Sequence, residues 1–258
     1  MNFSESDIER YSRNILLNEV GGVGQKKISK SKVLVIGAGG LGSPLLLYLA
    51  ASGVGTIGII DDDIVELSNL QRQIIHNTES LNFSKVKSAK FNIEQINPNI
   101  NIIIYDNRLS NSNAENIIKN FDIIADGSDN FETRFLVNDI SFKLKKILVS
   151  AAVQRFDIQL SSFNFKNNKI SPCYRCIIPN SNSIEDIDNC NQSGVLGSVV
   201  GIAGCLQATE IIKIIIETKN NLIGKLLIID TLNNEFRTLS VKKDPECFFC
   251  SNLAFNKV

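Results

Sequence analysis

The sequence has no excess of either charge, no apolar leader and only one histidine among its 258 residues. Lysine plus arginine and aspartate plus glutamate both number 27, so charge does not indicate nucleic acid or an anionic membrane as the main partner. The polar N-terminus "MNFSESDIERYSRN" argues against a signal or transit peptide, and we expect a cytoplasmic protein. Apolar residues make up 43% of the sequence, enough for the core of a globular protein.

One apolar run, residues 195–216, is as long as a membrane span. Gln207, Glu210 and Lys213 interrupt this run at helical spacing. The run is therefore predicted to form a core helix rather than to cross a membrane.

Short apolar runs alternate with amphipathic segments from residue 32 to about residue 150, which predicts a mostly parallel sheet with helices on both faces. Helices are expected from Leu41 and near 84–96, 112–120 and 130–144. Beyond residue 155, "FDIQLSSFNF" and "NKIS" predict an antiparallel hairpin that extends the sheet. A helix over 195–217 and the strands "KLLIID" and "FRTLSV" follow. No linker or repeat divides the sequence, so residues 1–258 are predicted to form one domain with a helical arm over residues 1–30.

The motif "GAGGLG" joins the first predicted strand to the first helix of this α/β pattern. Glycines at this position let backbone N–H groups approach a phosphate at a helix N-terminus. Asp61 ends the next strand and is placed to bind a ribose hydroxyl. These features fit NAD and ATP equally, and a glycine-rich turn can also serve helix packing alone. The candidate glycines are Gly37, Gly39, Gly40 and Gly42.

Downstream charges favour a triphosphate over a dinucleotide. Arg72 and Lys85 follow the ribose-binding strand, where cations would offset the charge of a leaving pyrophosphate. Asp129 follows a strand that ends at Asp126, and it could hold Mg²⁺ against the phosphates. Each residue also has an ordinary explanation: a solvated charge for Arg72 or Lys85, and a helix cap for Asp126 or Asp129.

Two CxxC pairs, 70 residues apart, supply the ligand set of a closed structural zinc site. A redox dithiol is the alternative, but the thioredoxin-like context that suits it is absent. The second pair lies near the C-terminus, so a zinc ion would tie the C-terminal tail to the segment that follows the hairpin. The four predicted ligands are Cys173, Cys176, Cys247 and Cys250.

The remaining cysteines and the histidine receive different predictions. Cys190 lies in a polar stretch before a helix, where its thiol can be reached, so it is either a catalytic nucleophile or an idle thiol. Cys205 lies within the predicted core helix and is expected to be a packing residue. His76 is likewise expected to pack rather than to catalyse.

Taken together, several motifs make the sequence similar to the MoeB/ThiF group of the ubiquitin-activating (E1-like) superfamily. They are "RYSRNILL", "GAGGLG", "DDDIVELSNLQRQ", "KVKSAKFNIEQINP", "DGSDNFETR", "CYRC", "GVLGSVVGIAGCLQATEIIK" and "CFFC". The resemblance implies a mixed, eight-stranded sheet and a nucleotidyltransferase. This enzyme would use ATP to adenylate the C-terminal glycine of a small β-grasp sulfur carrier of the MoaD or ThiS type and would release pyrophosphate, for molybdopterin or thiamine biosynthesis.

The resemblance also assigns roles to individual residues. Arg13 is expected to reach the ATP of the partner subunit in a homodimer, and Cys190 matches a cysteine that links covalently to the carrier in some members. The residues that match the ATP and Mg²⁺ site of the family are Gly40, Asp61, Asn69, Arg72, Lys85 and Asp129. Their neighbours in the same motifs complete the predicted nucleotide site: Asp63, Ser68, Leu70, Gln71 and Asn130.

Three other functions compete with this interpretation: an NAD-dependent oxidoreductase, a relative that adenylates a different peptide C-terminus, and a noncatalytic adaptor. The presence of Arg72, Lys85 and Asp129 argues against an adaptor. Because the sequence ends shortly after the second CxxC pair, we expect the sulfur to come from a separate donor. The MoeB side, with a MoaD-type carrier, is slightly preferred over the ThiF side.

Overall fold

The computed structural model describes residues 3–167, 171–178 and 194–251. Its first half contains, in chain order, α1 (Glu5–Ile15), α2 (Gly21–Lys30), β1 (Lys32–Ile36), α3 (Gly42–Ala51), β2 (Thr56–Ile60), α4 (Lys85–Ile96), β3 (Asn101–Tyr105), α5 (Ala114–Ile118) and β4 (Ile123–Asp126). Its second half contains α6 (Phe131–Lys143), β5 (Ile147–Gln154), β6 (Asp157–Asn164), α7 (Tyr174–Ile177), α8 (Gly197–Ile215), β7 (Lys225–Asp230) and β8 (Glu235–Ser240).

The strands form one mixed sheet in the order β3-β2-β1-β4-β5-β6-β7-β8. Strands β1 to β5 pair in parallel, and β5 to β8 pair antiparallel, which confirms the predicted mixed, eight-stranded architecture. β1 and β4 are neighbours, so the chain leaves β1 toward one edge of the sheet and returns to its other side at β4. Open α/β sheets bind ligands at such a switch point, beyond the carboxyl ends of the strands.

Side chains of the central strands alternate between two hydrophobic layers. On β1, Val33 and Val35 belong to the layer shared with α3, α4 and α8. Leu34 and Ile36 belong to the opposite layer, shared with α5, α6 and α7. The period of two residues along a strand produces this division, and burial on both faces explains why β1 is an almost continuous apolar run.

The helix α8 fills the groove between α3 and strands β5 and β6. By length and mean hydropathy it could span a membrane, although half of its most apolar window is buried against the rest of the protein. Two of its polar side chains, Gln207 and Glu210, are also buried and bonded within the protein. These contacts are those of the predicted core helix.

Two local predictions differ from the structure. The hairpin partner of β6 is β5, joined to it through Arg155 and Phe156, rather than the "NKIS" segment. Residues 168–170 of that segment lie outside the described part, and Ser171 is not in a strand. The helical arm predicted over residues 1–30 is divided into two helices, because Leu17 to Val20 form a turn between them.

Candidate nucleotide site and cysteine cluster

The glycine loop connects β1 to α3 in a conformation that requires glycine at particular positions. Gly37 has φ +92°, a region that side chains disfavour. A Cβ atom on Gly42 would lie 2.0 Å from the Gly37 carbonyl oxygen, and one on Gly40 would lie 2.8 Å from Cγ1 of Val200. The loop therefore folds tightly back onto the first turn of α3, as the motif predicted.

This fold leaves a row of backbone donors without partners. Among the described residues, none accepts a hydrogen bond from the N–H groups of residues 39–42, which include the first residue of α3. The positive end of the helix dipole points to the same place. Consecutive free N–H groups at a helix N-terminus form a binding site for an anion such as phosphate.

Asp61 braces the glycine loop from the end of β2. Its Oδ2 accepts a hydrogen bond from the Ala38 N–H at 2.7 Å, and its Oδ1 accepts one from the Asp63 N–H at 2.9 Å. Burial raises the pKa of the Asp61 carboxyl, an effect that these hydrogen bonds and Lys85 oppose. Each oxygen keeps a lone pair, so Asp61 can hold the loop and still accept a ribose hydroxyl.

The end of the "DDDIVELSNLQRQ" motif and the residues that follow it run antiparallel along the glycine loop. A Cβ on Gly40 would lie 3.5 Å from Cγ of Arg72, and a Cβ on Gly39 would lie 3.6 Å from Nε2 of Gln73. His76 continues the series, because its Nε2 lies 2.9 Å from the Ala38 carbonyl oxygen. Three side chains thus cover three successive loop residues and form one wall of the site.

His76 has the packing role that was expected of it. Its Nδ1 lies 2.9 Å from the Ser88 hydroxyl on α4, while its Nε2 must donate to the Ala38 carbonyl, which can only accept. Burial lowers the pKa of His76, so the neutral ring is favoured. A neutral imidazole with both nitrogens engaged is not available as a general base.

The two predicted cations lie in different environments. The Arg72 guanidinium donates from Nη1 to the Ser68 carbonyl at 3.1 Å and remains partly exposed. Lys85 is 5% exposed, and its Nζ forms an ion pair with Asp63 at 2.7 Å. Asp63, a predicted nucleotide contact, therefore acts in this structure as the counter-ion of Lys85.

The other predicted residues of the "DDDIVELSNLQRQ" motif lie in or directly after the short 3₁₀ turn Leu67–Asn69. Asn69 is buried, and its Oδ1 accepts from the Glu66 N–H at 3.3 Å, so it shapes the turn. Ser68 and Gln71 are exposed, and Leu70 is half-buried. The structure thus brings this set beside Arg72, with Asn69 in a supporting position.

The segment after β4 forms another wall of the site, because a Cβ atom on Gly127 would lie 3.2 Å from Cβ of Leu41. Asp126 is buried, and its Oδ1 accepts from the Ser128 hydroxyl at 2.7 Å. Asp129 is exposed and accepts only from Nδ2 of Asn130 at 3.2 Å among the described residues. The alternative that Asp126 or Asp129 caps α6 is wrong: Asn130 is the cap, since its Oδ1 accepts from the Thr133 N–H at 2.9 Å. Asp129 is left free for a ligand.

Two buried residues that hold this wall were not predicted. Arg134 donates to the carbonyl oxygens of Ser128 and Ala151, the second at 3.0 Å. Gln207 donates from Nε2 to the carbonyl oxygens of Asp126 and Val149, both at 3.0 Å. Arg134 belongs to the "DGSDNFETR" motif, but nothing in the spacing shows that it also donates to a carbonyl group of β5.

Arg13 lies far from the glycine loop of its own chain. Two residues before it, the Tyr11 hydroxyl accepts from Nδ2 of Asn97 at 2.9 Å and packs on Gly53. Gly53 follows the C-terminal end of α3, whereas the glycine loop precedes its N-terminal end. Ten helical residues, about 15 Å, separate the two ends. Cys190, the other catalytic candidate, lies outside the described residues.

The four predicted cysteine ligands come together in a compact cluster. The Sγ atom of Cys173 lies 3.8 Å from the Sγ atom of Cys176 and 3.8 Å from that of Cys247. The Sγ atoms of Cys176 and Cys250 are 3.4 Å apart. These separations are too long for disulfides. A tetrahedral ZnS₄ centre with bonds of about 2.3 Å requires sulfurs about 3.8 Å apart, so the cluster has the shape of a zinc site.

The thiols of this cluster also compete for protons. Hydrogen bonding to Cys176 raises the pKa of Cys173, whereas hydrogen bonds from Cys173 and Cys250 lower the pKa of Cys176 to about 2. A bound cation would end this competition, because it binds all four sulfurs as thiolates.

Arg175 ties this cluster to the nucleotide site through α6. Its Nε and Nη2 donate to the two carboxylate oxygens of Asp139 at 2.9 and 2.8 Å. The guanidinium also lies 4.2 Å from the ring centre of Phe135 and 5.2 Å from that of Phe248. Phe135 and Asp139 belong to α6, the helix that begins beside Asp129, so the first CxxC pair is fixed to an element of the site.

This chain is similar to known proteins in both sequence and fold. The profile of the ThiF family matches residues 11–249. Adenylyltransferase and sulfurtransferase MOCS3 of Aedes aegypti is 44% identical over 250 residues, 96% of this chain and 56% of that protein. The protein of the same name from Xenopus laevis is 44% identical over 247 residues, 95% of this chain and 54% of that protein. The chain spans about half the length of these curated relatives.

Solved structures show the same fold at lower sequence identity. Escherichia coli MccB with ATP has a TM-score of 0.82 at 21% identity and aligns with 96% of this chain and 82% of that chain. MccB with MccA-N7isoASN has a TM-score of 0.84 at 22% identity, over 97% of this chain and 76% of that chain. At these identities the likeness concerns the fold alone.

Proposed function

Since this chain belongs to the ThiF family, we propose that it is an ATP-dependent adenylyltransferase of a ubiquitin-like sulfur carrier protein. The carrier's C-terminal glycine carboxylate would attack the α-phosphate of ATP, forming a P–O bond as the bond to the leaving pyrophosphate breaks. The curated relatives are named adenylyltransferases, which supports this reaction type.

One observation carries the proposal: the four free N–H groups of the glycine loop lie next to Arg72, and Asp61 connects the same loop to the Lys85–Asp63 pair. A dinucleotide needs mainly the amides for its pyrophosphate. A triphosphate carries about four negative charges, and its cleavage calls for cations where charge develops. The combination of amides and cations therefore favours ATP over NAD.

The chain's own residues mainly position and screen charge. The free N–H groups hold phosphate oxygens, Arg72 and Lys85 offset their charge, and Asp61 accepts from the ribose. A C-terminal carboxylate is already ionised near pH 7, so the reaction requires no general base. The engagement of both His76 nitrogens in packing agrees with this chemistry.

Two metal ions are part of the proposal. Asp129 is exposed, and its free oxygen would hold Mg²⁺, which screens the phosphate charges when bound. The four clustered cysteines fit a structural Zn²⁺ ion, since four thiolates leave no position for a substrate. Both the chemistry of the donors and the sulfur spacing support these assignments.

We propose further that the enzyme acts as a homodimer in which Arg13 serves the partner's site. Tyr11 and Asn14 attach α1 near the C-terminal end of α3, the end remote from the glycine loop of the same chain. Arg13 is exposed there, far from the glycine loop of its own chain, which supports a role at a partner's site. Arginine suits this role because its fork of donors matches phosphate oxygens.

The carrier is proposed to be of the MoaD type, with ThiS as the alternative, and the sulfur to come from a separate donor. A second candidate function is adenylation of a different peptide C-terminus, because MccB, whose fold this chain shares, was solved with the peptide MccA.

ATP–pyrophosphate exchange tests the proposal directly. Purified protein is incubated with ATP, Mg²⁺, labelled pyrophosphate and, in separate reactions, a MoaD-type carrier, a ThiS-type carrier or an unrelated glycine-ended peptide. Exchange that depends on one carrier supports the proposal and identifies the partner. Binding of NADH without any exchange would contradict it, and exchange with the peptide alone would favour the second candidate.

A further inference from the structure

Gln73 is a buried residue whose side chain has no hydrogen-bond partner among the described residues. It is 3% exposed, and no described group donates to its buried Oε1. Its Nε2 donates no hydrogen bond to any residue in the described ranges. The carboxamide therefore has an unused donor, Nε2, with which a group from outside the chain can pair.

The unpaired carboxamide is directed at the anion site. Its Nε2 lies 3.6 Å from the position that a Cβ on Gly39 would occupy, beside the free N–H groups of residues 39–42. The backbone fixes this position, since the Gln73 N–H donates to the Asn69 carbonyl at 2.9 Å and its carbonyl accepts from the His76 N–H at 3.0 Å. Arg72 and His76, on either side, both contact the loop.

We propose that Gln73 is a nucleotide-contacting residue whose Nε2 donates to a phosphate oxygen at the glycine loop. This inference rests on the proposed function, because it identifies a further contact in the same ATP site. The carboxamide NH₂ group supplies a donor for a phosphate oxygen, and it adds no charge to a site that already contains Arg72 and Lys85.

The Gln73→Leu substitution should weaken ATP binding without lowering the stability of the unliganded protein, a combination that a packing role would not give. Leucine fills nearly the same space and removes a polar group that is unpaired without ligand, so the unliganded protein keeps its melting temperature or gains some. ATP affinity, measured by calorimetry, should fall roughly tenfold to hundredfold, the loss expected for a hydrogen bond to a charged group. Adenosine affinity should change much less, because adenosine has no phosphate.

Three variants complete the experiment. Gln95→Leu makes the same chemical change at an exposed position on α4 and should bind ATP like the wild type. Gln73→Glu places a carboxylate against the phosphates and should weaken ATP binding more than Gln73→Leu does. If Gln73→Leu fails to fold, Gln73→Met, which is also long and lacks strong hydrogen-bonding groups, takes its place.

The outcomes separate this inference from the proposed function. Wild-type ATP affinity in a folded Gln73→Leu protein overturns the inference and leaves the adenylyltransferase proposal standing. Equal losses of ATP and adenosine affinity, together with a lower melting temperature without ligand, also overturn it, since they indicate packing alone. If the wild type binds no ATP, both proposals fail.

Discussion

At the glycine loop, four N–H groups and the Gln73 carboxamide have no partner in the described part of the chain. At the cysteine cluster, each of the four sulfurs lies within 3.8 Å of another, and three of these residues are buried. The first arrangement leaves polar groups open to a ligand that enters and leaves. The second closes its ligands around one point, which suits an ion that stays. Chemistry is therefore expected at the first site and stability at the second.

The largest effect should come from removing charge at the open site. Asp129→Ala and Arg72→Ala should each lower carrier adenylation by at least about 100-fold, since each removes charge stabilisation of the polyphosphate. Pyrophosphate exchange provides the rate, and circular dichroism and the melting temperature check the fold. Near-normal exchange in either folded variant would refute its assigned role.

The second prediction concerns the closed site. We expect one zinc per chain, and Cys247→Ser combined with Cys250→Ser should abolish stoichiometric zinc and lower the melting temperature markedly, because metal binding contributes to folding. Metal analysis and thermal unfolding measure both effects, and Cys205→Ser, outside the cluster, is the control. A full equivalent of zinc in the double variant would refute the assignment of the cysteine cluster as the zinc site.

The third prediction tests the proposed homodimer, in which Arg13 of one subunit would complete the open site of the other. Arg13→Ala and Asp129→Ala homodimers should each be nearly inactive. A random mixture contains about half heterodimers, each with one complete site, so activity should recover to roughly a quarter of the wild-type value if sites act independently. Subunit exchange is checked with tagged chains. No recovery after exchange would place Arg13 in its own chain's site or in the interface alone.

The fourth prediction is an increase in ATP affinity, and only the structure indicates the direction of this change. Asp63→Asn should tighten ATP binding several-fold, because Asp63 competes with the phosphates for Lys85 at the exposed end of their ion pair. Asp62→Asn removes the same charge from an exposed neighbour and is the matched control. Weaker ATP binding in Asp63→Asn would instead support Asp63 as the nucleotide contact predicted from the sequence.

The smallest effect involves His76, which braces the glycine loop. Burial lowers its pKa, so below about pH 6.5 the unfolded chain takes up a proton that the folded chain does not. The free energy of unfolding should therefore fall as pH drops from about 6.5 through the lowered pKa, by at most about 1.4 kcal/mol per pH unit. His76→Asn should lose this component. Because the chain has one histidine, a single NMR titration gives the pKa, and an ordinary value would contradict the prediction.

The sequence determined the features that depend on local pattern. Alternating apolar runs predicted the parallel strands, because strands buried on both faces must be apolar throughout. The helix predicted near 84–96 is found at Lys85–Ile96, and the one predicted at 130–144 at Phe131–Lys143. Glycine spacing predicted the loop because only glycine fits where Gly42 meets the Gly37 carbonyl. CxxC spacing predicted the cysteine cluster, because two such pairs are a zinc ligand set.

Only the tertiary structure decided which polar groups pair with each other and which remain free. It paired Lys85 with Asp63, assigned the α6 cap to Asn130, and left the Gln73 carboxamide unpaired. Arg134 and Gln207 bond to carbonyl groups of strands that lie far from them in the chain. Such hydrogen bonds form only when elements that come together on folding are positioned to within about a few tenths of an ångström. No residue spacing encodes positions of that precision.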